Sequence, residues 1–133
     1  MACTLGPSPL TLAGLIKHMA YVEDWWFQQQ MLGQLASEPW AGAPFEADPD
    51  WELNSAVDDD PAELLELYVA ACQHSRAVVA EIDPLDTLST GLSDRTGKPF
   101  SLRWIMVHMI EETARHNGHA DVIRESIDGA TGP

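Results

Sequence analysis

The sequence predicts an all-α fold, a bundle of three long helices. Apolar residues recur at helical spacing in three separate stretches. Helix-start and helix-stop residues bracket each stretch, and none of them alternates with the period of two that a half-buried strand requires. The 133 residues read as one domain spanning 1–133, and 45% of them are hydrophobic, enough to fill a core.

Ser8 reads as the N-cap of the first helix and Pro9 as its first residue, where the missing N–H costs nothing. Leu12, Leu15, Ile16, Met19, Val22 and Trp26 follow as one stripe, and Gly33 suits the stop, so the helix is placed from about Pro9 to Leu32. The next segment, "SEPWAGAPFEADPDWELNSAVDDD", carries three prolines and many acids without any period. It reads as a long surface loop, tacked to the bundle by Trp40, Phe45 and Trp51. Asp60 then offers a cap, Pro61 a first residue and Glu63 a first-turn acid. Leu64, Leu67, Tyr68, Ala71, Cys72, Ser75 and Val78 carry this second helix to about Ile82. "DPLDTLSTGLSDRTGKPF" is a turn-rich connector, with a short hairpin left open. Ser101 caps the third helix, whose apolar positions run from Leu102 through Ile105, Met106, Met109 and Ile110 to Ile127, ahead of Gly129. Gly118 interrupts it at a cost of about 1 kcal/mol relative to Ala.

Charge excludes several classes of function. Twenty-one acidic residues against 7 basic ones leave a net charge of −14. Phosphate backbones and anionic membrane surfaces need clustered Lys and Arg, and here they are few and scattered, so neither nucleic acid nor membrane is an expected partner. No apolar run approaches the roughly 18 residues of a membrane span, and "MACTLGPSPL" has neither the charged nor the apolar region of a signal peptide. Cys3 and Cys72 show no paired spacing, and Cys72 reads as a buried free thiol. The cytoplasm is the expected compartment.

The stretch with most chemistry is "HMIEETARHNGHAD", His108 to Asp121, which holds three of the five histidines and two adjacent glutamates. At about 100° per residue, His108, Glu112, His116 and His119 fall within a wedge of about 80°. Glu112 and His116, four apart, stack one above the other and can close on one ion. A third ligand must come from another helix, and His18, amid the apolar face of the first helix, is the natural candidate. The same stripe can equally be a buried hydrogen-bond network or a wet helix face. Glu111 points about 100° away and reads as a surface charge, with Arg115 as its partner at i+4. His74 reads as a surface residue, and "DWWF" at Asp24–Phe27 as core.

"LTLAGLIKHMAYVEDWWF" and "SLRWIMVHMIEETARHNGHADVIRESIDG", together a little over a third of the chain, closely resemble the two signature segments of the DinB family, in particular its small thiol-S-transferase members. The resemblance implies a helical bundle with a divalent metal, usually zinc or nickel, held by one histidine of an early helix and two ligands at i, i+4 of the last. In the mycothiol-dependent isomerase type that pair looks like Glu-x-x-x-His, so the matching positions here are His18, Glu112 and His116. Members usually carry a further helix ahead of the first segment, so three long helices are expected where the family has four.

The function expected from this is a metal-dependent enzyme using a low-molecular-weight thiol on a small-molecule substrate, as an S-transferase or an isomerase. Three protein ligands leave a position open, and two imidazoles with one carboxylate also suit iron. His119 is placed to orient a ligand or to shuttle a proton. A carboxylate ligand lowers the charge of the site, which suits a thiol, with its pKa near 8.5, better than water. The alternatives are a non-catalytic, metal-stabilised dimeric binding module and a metal-dependent hydrolase. A homodimer is expected, because an uncovered apolar face usually marks an interface.

Overall fold

The computed structural model describes residues 8–132, and Cys3 and the rest of the first seven residues lie outside it. Helix α1 (Leu12–Glu23) starts from Thr11, whose extended backbone and side-chain oxygen, accepting from the Gly14 N–H at 2.9 Å, make it the cap. The helix thus begins three residues later than Pro9 suggests. The Ser8 hydroxyl instead accepts from the Leu10 N–H at 3.3 Å, closing a local turn ahead of the helix. The chain then continues as a π-helix over Asp24–Met31. Across that wider turn the buried Asp24 carboxylate accepts from Gln29 Nε2 at 2.8 Å and from the Ser37 hydroxyl. Gly33 ends it as expected, at φ 68°, and a side chain there would also collide with Thr90.

The acidic loop is more structured than its composition suggests. Trp40 is buried against Tyr21, with ring centroids 5.3 Å apart, and Phe45 bridges Tyr21 and Trp51 at 4.9 and 6.0 Å, so the three aromatics do anchor the segment. Within it lie a short helix, α2 (Trp51–Ser55), and two single 3₁₀ turns, Trp40–Gly42 and Ala56–Asp58. α2 is pinned to α1 from two sides. The buried Lys17 ammonium sits 4.4 Å from the centre of the Trp51 ring, donates to Ser55 Oγ at 2.8 Å and pairs with Asp59. Gly14 lets the two helices approach, since a Cβ there would lie 3.1 Å from the Leu53 carbonyl oxygen.

Helix α3 (Pro61–Ala80) has the predicted cap: Asp60 accepts from the Ala62 and Glu63 N–H groups, with Pro61 in the first turn. The connector does form a hairpin, β1 (Leu88–Leu92) antiparallel to β2 (Pro99–Ser101). Gly97 at φ 65° turns the chain, and the Ser93 N–H donates to the Lys98 carbonyl at 2.9 Å. β1 packs on the π-helical end of α1. Helix α4 (Leu102–Asp128) is capped by the Ser101 hydroxyl, accepting from the Trp104 N–H at 3.2 Å, and ends at Gly129 with φ 75°. Gly118 does not break it.

The fold is an all-α bundle with one small hairpin. Its core joins Met19, Val22, Phe27 and Met31 of the first helix to Val78 of α3 and Leu102, Ile105 and Met109 of α4. α3 and α4 rest on α1 more than on each other. Between them runs an apolar trough. One cavity of about 460 Å³ is lined by Phe27, Tyr68, Cys72, Val79, Met106 and Met109 among others. A second, of about 260 Å³, is lined by Leu15, Ile16, Met19, Tyr68, His116 and Ala120 among others, and Tyr68 lies on both. No helix among the described residues is long and apolar enough to cross a membrane.

Candidate metal centre

The three side chains singled out as ligands come together. His18 from α1 and Glu112 and His116 from α4 each offer one donor atom, and these lie within 4.8 Å of one another. The Glu112–His116 pair follows from helical stacking, with Oε2 and Nε2 3.2 Å apart. The crossing of α1 over α4 brings the His18 ring edge-on to His116, centroids 4.8 Å apart at 64°. All three residues are half-buried.

The surroundings decide which ring nitrogens are free. His18 Nδ1 lies 2.8 Å from Glu52 Oε1 and donates to it, which leaves Nε2 as the ring nitrogen open to a ligand role. His116 Nδ1 lies 3.3 Å from His119 Nδ1. In the tautomer in which His119 supplies the proton of that contact, His116 Nε2 donates to Glu112; in the one in which His116 supplies it, the Nε2 lone pair faces the Glu112 carboxylate and a cation fits between them. Burial pushes the His116 pKa down, and the neighbouring His18 adds to this against the pull of Glu112. The neutral imidazole, the form that ligates a metal, is thereby favoured. Two imidazoles and a carboxylate, each with one free donor, fit a divalent ion such as zinc.

The other residues of the stripe divide. His119 touches His116, as its position three residues on allows. His108 lies outside the three-donor group: its ring stacks on Trp104, 4.9 Å away and tilted by 11°, and abuts Trp26, with Nε2 3.8 Å from Glu112 Oε1. Glu111 is exposed as expected, but it does not pair with Arg115. Its carboxylate lies 3.9 Å from His108 Nδ1, and Arg115 is left to solvent. His74 is exposed.

Glu52 was not legible in the sequence. It lies in the loop, 34 residues from His18, with no spacing that relates the two. It lies in the first turn of the short helix α2, behind Trp51.

Cys72 is a free thiol, half-buried in the larger cavity rather than at the three-donor group. Its Sγ lies 3.8 Å from Glu23 Oε1, and burial pushes its pKa up, so the thiol stays protonated at neutral pH. Burial likewise pushes the Tyr68 phenol up to about 12, leaving a neutral O–H donor in the trough.

The family model of the mycothiol-S-transferases matches residues 1–129 of the chain. No curated protein and no solved structure matches it. A match over nearly the whole length, joined to the helical bundle and to the two segments that carry the His and Glu-x-x-x-His positions, shows that the chain belongs to the mycothiol-S-transferase family, a DinB-like family.

Proposed function

We propose that the protein is a metal-dependent thiol S-transferase in which His18, Glu112 and His116 hold one divalent ion, zinc by preference. The convergence of their donor atoms within 4.8 Å, in a chain of this family, is the observation that carries the reading. A divalent ion held there would make a thiolate available at neutral pH. Glu112 keeps the net charge of the site below that of three imidazoles, which suits a thiol, already close to ionising, better than water. In the transfer, the thiol sulfur bonds to an electrophilic carbon of the substrate, whose leaving group departs with the electron pair. The thiol proton passes to solvent by way of His119, in contact with His116. The apolar cavity beside His116 takes the carbon skeleton of the substrate. The reading suits the cytoplasm, where such thiols are kept reduced.

The test is S-conjugation of small electrophiles by mycothiol, bacillithiol and glutathione, with and without chelator. Turnover with at least one thiol, lost on chelation and restored by zinc, is expected. Ester or amide hydrolysis with no thiol added would favour the hydrolase instead, and zinc binding without turnover of any kind would favour the binding module.

The chain is further proposed to act as a homodimer. Leu65 and Val69 of α3 and Val107 and Ile110 of α4 are exposed, and a second copy would cover them. Light scattering should give twice the chain mass of 14.6 kDa, and a stable monomer at micromolar concentration would contradict it.

A further inference from the structure

Glu52 is a buried carboxylate, 4% exposed, on a five-residue helix in a loop. One of its oxygens, Oε1, meets His18 Nδ1 at 2.8 Å, and the other, Oε2, is buried with no hydrogen-bond partner among the described residues. A buried carboxylate left half-satisfied is costly and needs positive charge nearby. Lys17, the neighbouring cation, turns instead to Ser55 and Asp59. The group that the Glu52 carboxylate does reach is the His18 ring, which stands edge-on to His116 and belongs to one of the three converging donor side chains.

We propose that Glu52 is the positioning residue of the metal centre: its carboxylate fixes the tautomer and the ring plane of His18, so that Nε2 is presented as a ligand. This rests on the metal reading given above. Glu52 lies outside the three converging donors, and because the two nitrogens of an imidazole point away from one another, its hold on Nδ1 leaves Nε2 as the nitrogen for the ion. A carboxylate on the outer nitrogen makes the inner one more basic and leaves the ring a single orientation. The packing agrees with this role. Lys17 over Trp51 and the close Gly14–Leu53 approach hold α2 against α1 on the turn that bears His18, so the loop places Glu52 rather than merely covering it.

The test compares wild type, Glu52→Gln, Glu52→Ala, His18→Ala and the Glu52→Ala/His18→Ala double variant. Zn(II) affinity is measured by competition with a chromophoric chelator. Glu52→Ala is expected to bind Zn(II) about 10–100-fold more weakly. Glu52→Gln, which keeps the volume and an accepting oxygen but not the charge, is expected to fall between it and wild type. The double variant is expected to bind no more weakly than His18→Ala, because Glu52 acts through His18. Nitrogen-15 shifts of the His18 ring in chelated protein give a readout independent of the metal: protonation at Nδ1 in wild type, and a mixture of tautomers in Glu52→Ala. Wild-type affinity in both Glu52 variants, independent losses in the double variant, or an unchanged ring spectrum in Glu52→Ala would each overturn the proposal. A wild type that takes up no Zn(II) would instead overturn the metal reading beneath it, so the two failures are told apart.

Discussion

His116→Ala should weaken Zn(II) binding by 100-fold or more, about 2.7 kcal/mol, and abolish thiol transfer, whereas His108→Ala should leave the affinity within a few-fold of wild type. Both histidines lie on one face of α4 and both approach Glu112, at 3.2 and 3.8 Å, so sequence spacing alone does not separate them. Their other contacts do. His108 is stacked on Trp104 and meets Trp26 edge-on. His116 is edge-on to His18, its second nitrogen is taken by His119, and its lowered pKa keeps the ring neutral. Removing it takes away the donor that lies 3.2 Å from Glu112 and whose ring meets that of His18. Calorimetric titration with zinc checks the contrast. Equal losses in the two variants would show that the whole stripe is a shared network.

Ile105→Ala should destabilise the fold by about 3 kcal/mol, within the range for emptying a buried aliphatic site, and lower the melting temperature by about 10 °C. Ile105 is fully buried and lies at the centre of the core, among Phe27, Val78 and Met109. The cavity left behind would be walled by three helices that cannot all close on it. The three-donor group lies two to three turns further along α4, so, if it holds zinc as proposed, the folded fraction should still bind one ion per chain at nearly unchanged affinity. Thermal unfolding and zinc titration of the same sample measure both. A loss of zinc affinity in the folded variant would mean that the register of α4 depends on this contact.

Much of the fold was legible because its signals are local. Asp60 followed by Pro61, Ser101 before Leu102, and Gly129 after Asp128 each fix a helix end within a few residues of sequence, and the structure uses all three. At the start of α1 two caps compete, and Thr11 prevails over Ser8 because its hydroxyl reaches Gly14 at the point where the apolar stripe begins. The hairpin was visible only as turn chemistry, "SDRTGK" around Gly97, because its second strand has three residues, too few to show a period. The convergence of His18 with Glu112 and His116 was foreseeable from the i, i+4 pair and the lone histidine on an apolar face. Glu52 was not, since a contact spanning 34 residues leaves no periodic trace and a glutamate in an acidic loop looks like any other surface charge. The Glu111–Arg115 pair is the converse case: the spacing allows it, yet Glu111 lies toward His108. Exposed pairs of this kind are worth so little that spacing predicts them poorly.

The central claim is that His18, Glu112 and His116 hold one divalent ion. It is tested most directly by elemental analysis of protein purified without chelator, for wild type and for the three single alanine variants, each first shown to be folded by circular dichroism. One ion per chain in wild type and far less than one in every variant is the expected result. Stoichiometric metal that survives all three substitutions, or a folded wild type that takes up none from excess zinc, would contradict it.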